Sequence, residues 1–147
     1  MLVSHGAIIL VIDGARMSLF RNTGKDFAAD LELIEHDAQH VASTAELGSD
    51  KPGRSFGSTG HGRSAHQSTD YHQAAEDAFA TAATEKLNTL AKQSSLDFIV
   101  ISAPRVLGVM RPHYSAGLRR NLRAEIAKDY AGRSAADIAN LLRHHEV

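Results

Sequence analysis

The chain has 147 residues and no cysteine, which fits one domain and excludes disulfide bonds, thiolate metal sites and cysteine catalysis. Hydrophobic residues make up 43% and charged residues 22%, as in ordinary globular proteins, and the longest apolar run, Ala7–Ile12, is too short to cross a membrane. No basic stretch precedes this run, so it does not resemble a secretory signal, and we expect a single cytoplasmic domain over residues 1–147.

The net charge of −1 conceals two basic segments that contain no acid. Residues 51–69 carry three cations, Lys51, Arg54 and Arg63. Residues 104–124 carry five arginines: Arg105, Arg111, Arg119, Arg120 and Arg123. If the fold brings the two segments together, they form one cationic face, which favours contact with the phosphates of nucleic acids. A solvated helix face is the alternative for the arginines.

Turn residues divide the first part of the chain into a predicted three-stranded antiparallel meander. A buried strand, Ala7–Asp13, ends at a strong Asp-Gly hairpin signal. The returning strand covers Arg16–Phe20, and a second turn covers Asn22–Lys25. The third strand is predicted at Leu31–His36, with Leu31 and Leu33 on one face.

The next segment, residues 43–69, contains five glycines and six serines. It has no hydrophobic period of 2 or 3.6, so the sequence predicts neither strand nor helix there. Long loops within compact domains are usually functional or disordered. We therefore take it as a candidate functional loop, and its candidate residues besides the cations are Gly53, Ser55, Phe56, Gly60, His61, Gly62, Ser64 and Gln67.

Helices and strands alternate in the rest of the chain. A helix is predicted over Asp70–Lys92, with an apolar stripe at helical spacing: Tyr71, Ala75, Phe79, Ala82, Ala83, Leu87, Leu90 and Ala91. A strand buried on both faces, Asp97–Ala103, ends at Pro104. A helix His113–Asn121, a strand Leu122–Ile126 and a helix Ala135–His145 follow. This order predicts an α/β fold, a mixed sheet flanked by helices.

Residues 57–64, GSTGHGRS, nearly match the phosphate-binding P-loop, with Arg63 in place of lysine. A P-loop follows a buried strand and opens directly into a helix. The preceding residues cannot form such a strand, and the predicted helix starts too late. Nucleotide hydrolysis at this site is therefore disfavoured.

The sequence was also searched for the residues of a metal-dependent nuclease, a zinc site and a serine hydrolase. A metal-dependent nuclease could use Asp13 with Glu76 or Asp77, but the central strand offers no third acid, and Asp13 fits the hairpin turn better. His61, His66, Asp70 and His72 match no zinc-ligand spacing. A serine hydrolase lacks a nucleophile elbow between a strand and a helix. We therefore expect no metal and no cofactor, and the choice between an enzyme and a binding protein stays open, with binding favoured.

Several blocks of the sequence resemble the bacterial host attachment protein family. They are Ile12–Arg16, Asp50–Phe56, Gly62–Ala65, Asp70–His72 and Ala103–Arg105. That family is in turn similar to the middle domain of archaeo-eukaryotic peptide-chain release factors, whose fold is like that of ribonuclease H. In those factors the loop before the long helix carries Gly-Gly-Gln. This chain has Gly60-His61-Gly62, with Gln67 five residues later, so the resemblance implies contact with RNA or the ribosome and not peptide release.

The leading interpretation is an RNA- or ribosome-binding factor that uses the basic loop and the five arginines. One alternative is a protein-interaction factor in attachment to host cells, with a host or envelope component as partner and no contact with nucleic acid. Another is a hydrolase that uses the loop. No membrane association is expected, and the oligomeric state is left open.

Overall fold

A computed structural model describes residues 1–39 and 57–146, and for residues 57–70 it describes the backbone alone. The helices and strands follow in chain order: β1 (Ile8–Ile12), β2 (Arg16–Asn22), β3 (Leu31–Ala38), α1 (Gly57–Gln93), β4 (Phe98–Ser102), α2 (Pro104–Met110), α3 (Ala116–Asn121), β5 (Leu122–Ile126) and α4 (Ala135–His144). A short 3-10 turn, Arg111–His113, connects α2 to α3.

The five strands form one mixed sheet in the order β3-β2-β1-β4-β5. β2 runs antiparallel to both β1 and β3, which confirms the predicted meander. β4 lies parallel to β1 and to β5. The predicted mixed α/β class is therefore confirmed.

The core consists of two apolar layers, one on each face of the sheet. On one face Leu10, Phe98 and Val100 pack under α1, α2 and α3, and the buried side chains of α1 there include Ala83 and Leu87. On the other face α4 covers the sheet with three buried side chains, Ile138, Leu141 and Leu142. All side chains of β1 and β4 are buried, because helices cover both faces of these central strands.

The start of the long helix differs from the prediction. α1 begins at Gly57, whereas the sequence pattern placed its start at Asp70. Extending an existing helix costs less than nucleating one, so the alanine-rich part of α1 can propagate into residues with poor helix propensity. Two residues of the predicted stripe, Tyr71 and Ala82, are exposed, and Ala80 is buried instead.

The prediction missed α2 and started the next helix too early. Pro104 ends β4 but also stands in the first turn of α2, where proline is favoured because no backbone N–H is needed. α3 begins at Ala116, since the Oγ of Ser115 accepts a hydrogen bond from the Leu118 N–H (3.0 Å). The strand Leu122–Ile126 is confirmed against its helix propensity.

Asn22 is a buried polar residue, and its amide closes the turn after β2. Its Nδ2 donates to the carbonyl oxygens of Val3 (2.9 Å) and Ser4 (3.2 Å). Its Oδ1 accepts from the N–H groups of Gly24 (2.9 Å) and Asp30 (3.0 Å). One side chain thus ties the N-terminal segment to the β2–β3 connection.

Candidate nucleic-acid interface

The start of α1 divides the basic segment 51–69. The residues before it lie outside the described part of the chain: Lys51, Gly53, Arg54, Ser55 and Phe56. The other candidate residues lie on the first turns of α1, where the backbone alone is described: Gly60, His61, Gly62, Arg63, Ser64 and Gln67. The segment predicted as a loop is therefore helical from Gly57 onward.

The helical conformation of residues 57–64 also disfavours a P-loop. A P-loop cradles phosphates with backbone N–H groups of a loop that precedes its helix. Residues 57–64 are themselves the first two turns of α1. The N–H groups that follow the first four are therefore directed along the helix to carbonyl oxygens one turn back. The helix does not start too late, as the sequence indicated, but too early for a P-loop.

The beginning of α1 is electrostatically suited to an anion. Its first turn contains no acidic residue. The first four N–H groups of any helix lack partners within the helix, and the helix dipole adds a partial positive charge there. Phosphate groups are well matched to such a helix end.

Further along, α1 passes over the turn between β1 and β2. The Glu76 side chain lies against Gly14 so closely that a Cβ at Gly14 would be 2.7 Å from the Glu76 Cδ. The neighbouring Asp13 belongs to the turn, since its Oδ1 accepts from the N–H groups of Ala15 (2.8 Å) and Arg16 (2.9 Å). Asp13 therefore serves the hairpin, as its glycine neighbour indicated.

Arg105 neutralises the acids that face it from α1. Its Nη2 forms a hydrogen-bonded ion pair with the Glu76 carboxylate, and its Nη1 lies 3.6 Å from the Asp77 Oδ1. The carboxylates considered for a nuclease are therefore engaged by a turn and by an arginine. Among the side chains that the structure describes, no three His, Asp or Glu residues converge in a way that could hold a metal ion.

Arg111 is also paired, in a network around Glu125 of β5. Its Nη2 lies 3.0 Å from the Glu125 Oε1, and the Tyr114 hydroxyl donates to Glu125 Oε2 (2.7 Å). Burial, followed by this hydrogen bond to Glu125, raises the pKa of Tyr114 well above its usual range. The hydrogen bond to Glu125 likewise raises the pKa of Arg111. This network links the 3-10 turn to the edge of the sheet.

The remaining three arginines differ in their surroundings. Arg123 donates from Nε to Asp97 Oδ1 (2.8 Å). The Arg119 guanidinium lies 5.7 Å from the centre of the Tyr114 ring and donates to the backbone oxygen of Arg111 (3.0 Å). Arg120 is exposed, and neither Arg119 nor Arg120 has a carboxylate partner among the described residues.

The two basic segments contact different parts of α1. The α3 side of the molecule meets α1 at Asn88, whose Oδ1 accepts from the Ser115 N–H (2.9 Å). Arg63 and Asn88 are far apart on the same helix, about 37 Å along its axis at 1.5 Å per residue. In the described residues, α1 therefore does not bring the α3 arginines and Arg63 into one continuous cationic face.

Sequence reasoning missed the acids that pair with the arginines. Segment 104–124 contains no acid, yet Glu76, Asp97 and Glu125 approach it from other parts of the chain. The order of the strands would have brought two of them near, because β5 neighbours β4 and Asp97 directly precedes β4. No signal within the segment itself could have revealed the pairing.

The chain matches a known protein family. A family model described as "protein required for attachment to host cells" matches residues 8–142. A comparison with curated proteins found no match. Among the described helices, none is long and apolar enough to cross a membrane.

Proposed function

The chain belongs to the family of proteins required for attachment to host cells, and we propose that it acts in that role as an RNA-binding factor, on the ribosome, and not as an enzyme. The proposed binding element is the basic segment 51–69 together with the start of α1. The attachment role would then follow from control of protein synthesis and not from surface display.

The observation that carries this proposal is where α1 begins. The helix starts at Gly57, inside the acid-free basic segment, with Lys51 and Arg54 before it and Arg63 after it. Three cations in sequence thus surround a helix end that itself favours anions. Contacts to phosphate position a protein on RNA without reading its sequence, so this element suits a structured RNA surface.

Arg119 and Arg120 are the arginines of the second segment that we assign to a secondary RNA contact. Both are exposed on α3 without a carboxylate partner among the described residues. Arg105, Arg111 and Arg123 are paired with acids and have a structural role in this account. The proposed interface is therefore smaller than the eight cations that the sequence indicated.

We further propose that the domain is related to the ribonuclease H-like middle domain of release factors. The meander followed by α1 and alternating strands and helices supports this, because it is the element order that the resemblance implies. The basic segment then occupies the position between β3 and the long helix where release factors carry Gly-Gly-Gln. This chain lacks that tripeptide, which favours contact with the ribosome without peptide release.

Co-sedimentation of the purified chain with ribosomes across a salt series tests the proposal. We expect binding at low salt and a plot of log affinity against log salt with a slope of about −2 or steeper, since three phosphate contacts release counterions. Failure to sediment with ribosomes at low salt would contradict the proposal. Binding that is insensitive to salt would also contradict it and would favour a protein partner.

A further inference from the structure

The outer edge of β3 is a candidate surface for a second partner. β3 ends the sheet, and among the described residues no strand pairs with its outer side. Two large apolar side chains of this strand are exposed, Leu33 at 53% and Ile34 at 44%. An exposed strand edge offers a row of backbone N–H and C=O groups to an added strand.

A groove lies beside this edge, between β3 and α1. It has a volume of about 290 Å³ and is lined by Leu19, Ile34, Glu35, Lys86, Thr89 and Leu90. Ile34 belongs both to the edge and to the groove, because the register shifts at this point and leaves it without a partner in β2. A groove next to a strand edge lets an added peptide place one side chain in a pocket while its backbone pairs with the strand.

The charges of β3 define the kind of peptide that fits. β3 carries Glu32, Glu35 and Asp37 and neither lysine nor arginine. The register sets these three acids opposite Arg21, Leu19 and Met17 of β2, so all three lie on the face of the sheet that α1 covers. The groove is on that same face.

One cation of α1 neutralises part of this negative charge. Lys86 forms an ion pair with Glu35, and hydrogen bonding to Glu35 raises the pKa of Lys86 despite the cost of burial. Asp37 has no ion-pair partner among the described residues. Arg21 of β2, opposite Glu32, is a second cation on this face, so three acids face two cations and the edge beside the groove keeps an excess of negative charge.

A second copy of this chain is a poor occupant of this edge. Pairing β3 with β3 would set carboxylates of one copy against those of the other, and acids on an edge strand disfavour such pairing. A strand with basic side chains would instead be attracted by the carboxylates of β3. The open edge alone would accept any added strand, and its negative charge favours a basic one.

We propose that β3 and the adjacent groove bind an extended, basic segment of a partner protein as an additional strand of the sheet. On the α1 face, one apolar side chain of the segment enters the groove against Ile34 and Leu90. Basic side chains two positions before and after it pair with Glu32 and Asp37. On the other face, an apolar side chain covers Leu33.

A labelled synthetic peptide that follows this pattern, Ser-Lys-Thr-Leu-Val-Lys-Ser, tests the proposal by fluorescence anisotropy. Its control replaces both lysines with glutamate. We expect the basic peptide to bind at least about tenfold more tightly than the acidic one, and Ile34→Arg to weaken the basic peptide by at least about tenfold. Phe27→Arg, at an exposed apolar side chain that does not line the groove, is expected to leave binding unchanged.

A charge-reversed variant, Glu32→Lys with Asp37→Lys, separates an effect of charge from a loss of folding. It should prefer the acidic peptide, an outcome that an unfolded chain would not give. Equal binding of the two peptides to the parent chain would overturn the proposal. So would dimerisation through β3 that Ile34→Arg abolishes. The assay contains no RNA, so its result does not depend on the proposed function.

Discussion

Replacing Lys51, Arg54 and Arg63 together with alanine is expected to lower the affinity for ribosomes by about 100-fold at low salt. Hydrogen bonds to charged groups contribute about 1.5 kcal/mol or more each when they are well formed, and solvent exposure reduces this to about 1 kcal/mol per contact. The slope of log affinity against log salt should also become shallower by about 2. Co-sedimentation with purified ribosomes at several salt concentrations measures both quantities.

A second triple variant provides the matched control for that experiment. Arg21, Lys25 and Arg143 are exposed cations that form no ion pair among the described residues. Replacing these three with alanine changes the net charge by the same amount at other surfaces. We expect it to alter ribosome affinity less than about threefold. Equal losses in the two variants would show a non-specific effect of charge and would contradict the assigned interface.

The largest effect on stability is expected at Asn22. Its side chain is fully buried and makes four hydrogen bonds to backbone groups. Asn22→Ala removes the partner of two carbonyl oxygens and two N–H groups, and each buried group left unsatisfied costs about 1–3 kcal/mol. We expect the free energy of unfolding to fall by about 3 kcal/mol or more. Urea denaturation followed by circular dichroism measures this change.

Asn140→Ala is the matched control for Asn22. Asn140 lies on α4 and is exposed, so its truncation is expected to change the free energy of unfolding by less than about 0.5 kcal/mol. If Asn22→Ala were no more destabilising than Asn140→Ala, the turn would not depend on the buried amide, and our account of how the N-terminal segment is fixed would be wrong.

The order of strands could be predicted because the apolar runs are short and turn residues separate them. β1 is wholly apolar and β4 is apolar up to its last residue, Ser102, which indicates central strands, and the Asp-Gly turn after β1 indicates a hairpin. β5 was predicted correctly although its residues favour a helix. The pairing of β4 with β5 overrides that propensity, since β5 gains a ladder along a buried strand.

Helix boundaries were harder to predict, for physical reasons that differ between helices. α2 has no capping side chain, because Ala103 precedes it and offers no hydrogen-bond acceptor there. α1 extends into glycine-containing residues that have low helix propensity, so no local pattern indicates its start at Gly57. α4, in contrast, has a capping serine, Ser134, and was predicted to within one residue.

The candidate interface shows what a linear count of charges leaves out. Five arginines without an intervening acid indicated a cationic surface, yet ion pairs form between residues distant in sequence. Glu76 is 29 residues from its partner Arg105, and Asp97 is 26 residues from Arg123. Only the fold brings these partners together. Arg105, Arg111 and Arg123 are therefore assigned to structural ion pairs, and the proposed RNA contact is assigned chiefly to segment 51–69.

Site-specific photo-crosslinking tests the central claim most directly. A photoreactive amino acid placed at position 54 reports which molecule the basic segment touches on the ribosome, and one placed at position 21 serves as the control at an exposed site of β2. We predict cross-links from position 54 to ribosomal RNA, and none from position 21. Cross-links from position 54 to protein alone, or equal yields of RNA cross-links from both positions, would contradict the assignment of this segment to RNA.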